Sequence, residues 1–322
     1  MRTSVLPEPI RKPLSDVKTS VLNRMLLHYG RFQARSYDIR NTVVVTGCPR
    51  SGTTWLGEIV SAVPGYRMLY EPLDMNRHPK SRAMGLGWRP YIAPGTDWPE
   101  AEAFLRYVLT GQLLDRSTTV HLSLAQVFMR RAWVIKSVRA SAILKWMTEK
   151  FPIRTPILLI RHPCAVVASQ MRSGRQIVHL PLQVNPVFAA AFPRFVEYLG
   201  SLKNQEEARA AWWCMHYYPP LSLPKPHPWV LVTYESMVRQ GEAELQRIFN
   251  ALGIEISDDA VKHLRVPSAT TKRWSNVLSG KDPLVGWTEN LTQAQVKRIL
   301  KVVSTFGLDI YGEGLEPDYS RL

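Results

Sequence analysis

Residues 47–54 read Gly-Cys-Pro-Arg-Ser-Gly-Thr-Thr and follow the apolar run Thr42-Val43-Val44-Val45-Thr46. A strand that feeds a glycine-bearing loop, which in turn opens a helix-like segment over 53–63, makes a seat for phosphate. The first N–H groups of a helix have no partner of their own, and the helix dipole favours an anion there. The two glycines let the backbone curl closely round the ligand. The octamer nearly fits the nucleotide-binding pattern G-x-x-x-x-G-K-[ST]. It departs at Thr53, where that pattern has Lys; the nearest cation is Arg50, inside the loop. A kinase or ATPase also needs a carboxylate at a strand end for magnesium. The strand-like runs 156–160 and 229–233 are followed instead by Arg161 and Tyr234. The loop is read as holding a phosphorylated nucleotide without metal.

Arg161 ends the run Leu158-Leu159-Ile160, and Ser169 lies eight residues further on, within the next helical pattern. Together they offer a guanidinium and a hydroxyl to a second phosphate. Lys136 closes another short apolar run, Trp133-Val134-Ile135. Cys48 sits inside the phosphate loop but is read as a small space-filler, not a nucleophile. Cys164 and Cys214 are too widely spaced from it for a disulfide framework or metal cluster, and a reducing compartment fits best.

The elements that must position these groups follow from periodicity. Four apolar runs, 42–46, 132–135, 156–160 and 229–233, read as buried strands. Helical patterns cover 53–63, 100–115, 139–150, 164–173 and 241–252, and Gly174 and Gly253 stand where C-terminal caps belong. Strands alternating with helices imply an α/β fold, a P-loop-like parallel sheet with helices on both faces. Ligands of such sheets bind outside the carboxyl ends of the strands. The segment 70–99, and 176–228 in part, read as irregular, substrate-shaping insertions in a single domain over 42–322.

Residues 1–41 form a separate N-terminal segment. Within it Val17, Val21, Leu22, Met25, Leu26, Tyr29 and Phe32 recur at helical spacing among Lys18, Arg24 and Arg31. A helix packed on the domain is expected, with at most peripheral membrane contact. No stretch approaches the roughly 20 apolar residues of a membrane span, and no secretory signal pattern opens the chain. A cytoplasmic protein is expected. The net charge of +15 favours an anionic partner. The basic residues are scattered and no nucleic-acid motif stands out, so nucleic acid is not the expected partner.

With both phosphate anchors in order, the chain resembles the sulfotransferases that use PAPS, 3′-phosphoadenosine-5′-phosphosulfate, and release PAP. Their 5′-phosphosulfate loop is similar to Pro49-Arg50-Ser51-Gly52-Thr53-Thr54-Trp55, and their 3′-phosphate element to Ile160-Arg161-His162-Pro163 through Ser169. Thr233-Tyr234-Glu235-Ser236-Met237 resembles the adenine-side segment. Tyr70-Glu71-Pro72-Leu73 resembles a stretch of the carbohydrate enzymes, and residues 279–291 resemble a C-terminal nucleotide loop. Arg50, where small-molecule sulfotransferases carry Lys, points to the carbohydrate and tyrosylprotein branch.

The resemblance implies transfer of a sulfuryl group from PAPS to a hydroxyl acceptor, a carbohydrate or another hydroxylated metabolite. Arg50 and Lys136 would meet the phosphosulfate and Glu71 would serve as base, with His78 as its rival. Ser51, Gly52, Thr53, Thr54, Trp55, Arg161, Ser169 and Tyr234 would hold the nucleotide. A magnesium-dependent kinase or NTPase, and a basic nucleic-acid- or membrane-binding protein, are the alternatives.

Overall fold

Unbroken β-branched runs such as Val43-Val44-Val45 suit strands covered on both faces, and they lie there, all fully buried. A computed structural model describes residues 8–87, 89–174, 178–273 and 275–322, with the backbone alone for 8–18. Trp88, residues 176–177 of the second insertion, and the side chains of Val17 and Lys18 lie outside the described residues.

Five strands form one parallel sheet: β1 (Val43–Thr46), β2 (Tyr66–Tyr70), β3 (Ala132–Lys136), β4 (Ile157–Ile160) and β5 (Val230–Thr233). Their order is β2-β3-β1-β4-β5. Tyr70 pairs with Lys136, Thr46 with Leu158 and Ile160 with Thr233, so the carboxyl ends lie side by side. β2 is a strand that the apolar runs do not announce. It is an edge strand, and Tyr66, Arg67 and Tyr70 are only half buried.

Side-chain alternation puts a core on each face of the sheet. Val44, Leu69, Trp133 and Ile135 pack beneath α1 (Glu8–Gln33), α3 (Pro99–Leu109) and α4 (Leu144–Lys150). On the same face Leu158 and Ile160 pack beneath α5 (Pro163–Ser173), α6 (Gln205–Leu221) and α9 (Gln293–Thr305). Val43, Val45, Val134, Leu159 and Val232 face the other way, onto α2 (Thr53–Ser61) and α8 (Glu242–Leu252). Between β5 and α8 runs α7 (Tyr234–Gln240).

Two regions depart from the irregular reading. The segment 70–99 includes the short helix Pro79–Ala83. Within 176–228 lies α6, which carries Pro219 and Pro220 in its last turn. Neither proline has an N–H, so the carbonyls of Met215 and His216 lose their usual donors four residues on, and the helix ends just beyond, at Leu221. α1 packs on the domain through buried Leu26 and through Gln33, whose Nε2 donates to Thr110 O at 3.0 Å. Its outer side exposes Val21, Met25 and Phe32. No helix among the described residues is long and apolar enough to cross a membrane.

Candidate active site

The loop between β1 and α2 is shaped by close approaches that a side chain would block. A Cβ on Gly47 would sit 2.2 Å from Leu159 O, and one on Gly52 would sit 2.7 Å from the Tyr234 ring. Gly52 caps α2 with φ 98°, and Thr53 and Thr54 begin the helix, nearly buried. Among the described residues, two other than glycine adopt positive φ: Arg50 at 78° and Glu71 at 48°. Such a backbone costs of order 1–3 kcal/mol and collects where a site demands it.

Tyr217 of α6 braces the loop from below. Its hydroxyl donates to Leu159 O at 2.8 Å, accepts from Cys48 N at 2.9 Å and lies 2.9 Å from Ser51 Oγ. Ser51 is thus turned into the protein and away from the cleft. Gln170 of α5 adds a bond to Pro49 O at 3.0 Å. Cys48 is fully buried, and burial pushes its thiol up to about 12. It fills space and is no nucleophile.

The two phosphate anchors meet. Arg50 Nε donates to Ser169 Oγ at 3.0 Å, and Arg161 donates to Arg50 O at 3.2 Å. The Arg161 guanidinium lies 4.1 Å from the centre of the Tyr234 ring, in cation–π contact. Tyr234 and Trp55 stand with centroids 5.7 Å apart. Glu235 is part of the scaffold: it accepts from His162 N at 2.9 Å and from Tyr311 OH at 2.8 Å. Burial draws His162 down to about 4, so it is neutral; it stacks on Trp287 of the C-terminal segment.

Glu71 lies one residue past β2, and its N–H donates to Lys136 O at 2.8 Å. Its carboxylate accepts from Lys136 Nζ and from Val138 N (3.2 Å), with Arg139 at 3.7 Å. Both members of the Glu71–Lys136 pair are buried. The rival His78 is placed otherwise. It is buried beside Asp115, with Nδ1 3.1 Å from that carboxylate and Nε2 3.3 Å from Ser117 Oγ, and it does not line the cleft.

One cleft of about 1370 Å³ opens over the carboxyl ends of the strands. Arg50, Gly52, Thr53, Thr54, Trp55, Glu71, Lys136, Arg161 and Tyr234 all line it. The sheet has therefore collected groups from five separate chain segments, as the strand-end positions required. Among the described residues eight Lys and Arg side chains line the cleft against three Asp and Glu, a balance that favours anions. Arg89, Tyr91, Phe188, Trp212 and His216 also line it. Tyr217, Arg89 and His216 carry no motif that marks them; each acquires its place only through partners remote in the chain. Among the described residues no group of three or more His, Cys, Asp or Glu side chains gathers as metal ligands would.

The sequence matches the family model described as "Sulfotransferase family" over residues 42–258, more than half of the chain. The protein belongs to the sulfotransferase family. Among solved structures it is similar to the sulfotransferase domain of the Synechococcus olefin synthase, at 20% identity and a TM-score of 0.46, covering 86% of this chain and 98% of that one. A mouse sulfotransferase solved with PAP matches at 15% identity and a TM-score of 0.42, covering 89% and 90%. A sulfotransferase from Mycobacterium avium matches at 15% identity and a TM-score of 0.44, covering 97% and 89%. No curated protein matches the sequence.

Proposed function

We propose that the protein transfers the sulfuryl group of PAPS to an acceptor hydroxyl, giving a sulfate ester and PAP. The observation that carries this reading is the junction of Arg50, Ser169 and Arg161 beside the loop amides. It sets two anion-binding elements at one cleft, as a nucleotide with 3′ and 5′ phosphates needs. The loop amides and the Thr53 and Thr54 hydroxyls hold the 5′-phosphate, and Arg50 neutralises it as it leaves. Arg161 and Ser169 hold the 3′-phosphate. Trp55 and Tyr234 supply aromatic faces for the adenine.

Sulfuryl transfer, like phosphoryl transfer, asks the protein for positioning, cations and a base. Glu71 and Lys136 form a ready pair for this. An incoming sulfonate competes for Lys136 Nζ, and the Glu71 oxygen that Lys136 vacates accepts the proton of the acceptor hydroxyl. The hydroxyl oxygen attacks sulfur as the bond to the 5′-phosphate breaks. Arg50 in the loop and Glu71 after β2 support placing the protein nearest the carbohydrate and tyrosylprotein branch. The acceptor is a carbohydrate or another hydroxylated metabolite, met in the cytoplasm.

The test is calorimetric titration with PAP in the presence of a chelator, with ATP for comparison, then transfer of radiolabelled sulfate from PAPS to an acceptor panel. Tight PAP binding that survives chelation is expected. Magnesium-dependent ATP turnover without PAP binding would transfer the protein to the kinases.

A further inference from the structure

Arg89 has no evident place in the donor chemistry. Among the described residues its guanidinium makes no hydrogen bond or ion pair, and its Nε is sealed from solvent. The side chain lies on the Trp212 ring at 3.4 Å from the centroid and lines the cleft. Five of the other cations that line the cleft are accounted for differently. Arg77 and Arg139 pair with Asp74, and Arg139 and Lys136 pair with Glu71. Arg50 and Arg161 are assigned to the nucleotide phosphates. Arg89 is left beside aromatic and apolar walls, with burial drawing its acidity up to a pKa of about 9. A desolvated, unpaired cation is costly. A ligand anion that enters the cleft offsets that cost.

We propose that the acceptor carries an anionic group, a carboxylate, sulfate or phosphate, that docks on Arg89 while its hydroxyl reaches Glu71. The Arg89 fork forms paired hydrogen bonds with such an oxyanion. Tyr91, Phe188, Trp212 and Met215, which line the same wall, cover the body of the acceptor. His216 shares a 2.8 Å hydrogen bond with Ser141 and is held neutral by burial, so it adds no second charge. The inference rests on the sulfuryl-transfer reading of the cleft. It narrows the acceptor to hydroxylated acids and their sulfated or phosphorylated counterparts.

The test is calorimetry on the full chain saturated with PAP. The probes are 6-hydroxyhexanoate, hexyl sulfate and hexyl phosphate, each compared with neutral methyl 6-hydroxyhexanoate. At least one anion should bind about 10- to 100-fold tighter than the ester. Whichever anion gains most identifies the charged group. Arg89→Met, which keeps an apolar stem over Trp212, should abolish the gain, leave PAP affinity within about twofold and leave the melting temperature equal or higher. Arg89→Lys should keep part of the gain and carries the comparison if the Met variant fails to fold. Equal binding of every anion and the ester overturns the inference, and so does a gain that survives Arg89→Met. A loss of PAP affinity in Arg89→Met assigns the residue to the nucleotide and overturns it equally. Failure of the wild-type protein to bind PAP would instead overturn the sulfuryl-transfer reading itself.

Discussion

Arg50 Nε and Ser169 Oγ stand 3.0 Å apart, although the phosphate loop and α5 are 119 residues apart in the chain. The bond joins the group assigned to the 5′-phosphate to a group assigned to the 3′-phosphate. Ser169→Ala should therefore weaken PAP through both ends, by lost contact and by a less constrained Arg50. Arg161→Ala should act at one end only. Its cost for PAP should be about 10- to 100-fold, the size of a charge-assisted hydrogen bond, with little cost for adenosine 5′-phosphate. Titration of both nucleotides into both variants checks this. Equal losses for the two ligands would remove Arg161 from the 3′ position.

The loop backbone yields a second prediction. Arg50 holds φ 78°. Arg50→Gly should be more stable than Arg50→Ala by about 1 kcal/mol, because glycine adopts that conformation freely. Both should lose PAP affinity and turnover. Urea denaturation of the two variants decides it, and Ala equal to Gly would mean that the loop relaxes.

Glu71→Gln keeps the shape of the side chain and removes its basicity. Turnover should fall by roughly 10²- to 10⁴-fold with PAP affinity nearly intact. His78→Ala should disturb packing near Asp115 without this selective effect on turnover. Single-turnover rates at saturating PAPS separate the two. Near-normal turnover in Glu71→Gln would end its assignment as base.

How far the site was legible depends on how its signals are laid out. The loop and the 3′ anchor are contiguous strings, so Gly47 through Trp55 and Arg161 with Ser169 are visible without a fold. The strand-end rule adds Lys136 and Tyr234, and both line the same cleft. β2 escaped because an edge strand that includes Arg67 shows neither an apolar run nor full alternation. α6 escaped for a different reason. It is buried on several sides, which blurs the 3.6-residue stripe, and its prolines resemble a loop. Tyr217 was invisible in turn, because its role depends on Cys48, Ser51 and Leu159. Two buried histidines likewise show their neutrality only once packed.

Those histidines set a pH dependence. Burial pulls His162 down to about 4 and His216 to about 3, whereas an unfolded histidine titrates near 6.5. Between roughly pH 4 and 6.5 the unfolded chain binds protons that the fold refuses. Stability should be full above about pH 6.5 and fall as pH drops, with a slope of up to about 1.4 kcal/mol per pH unit for each group. Chemical denaturation between pH 5 and 7 should show a shallower slope in His216→Asn. An unchanged slope would mean that His216 is protonated in the fold.

Tyr217 has consequences beyond the loop that it braces. The helix that carries it also carries Trp212, Met215 and His216, which line the cleft, and Trp213, whose indole donates to Arg161 O at 2.9 Å. One rod thus touches both compartments of the cleft. A displacement of α6 on filling one compartment would be felt in the other. Linkage then makes the exchange symmetrical: whatever factor PAP adds to acceptor affinity, the acceptor adds to PAP. Donor and acceptor binding would then both read the position of a single helix.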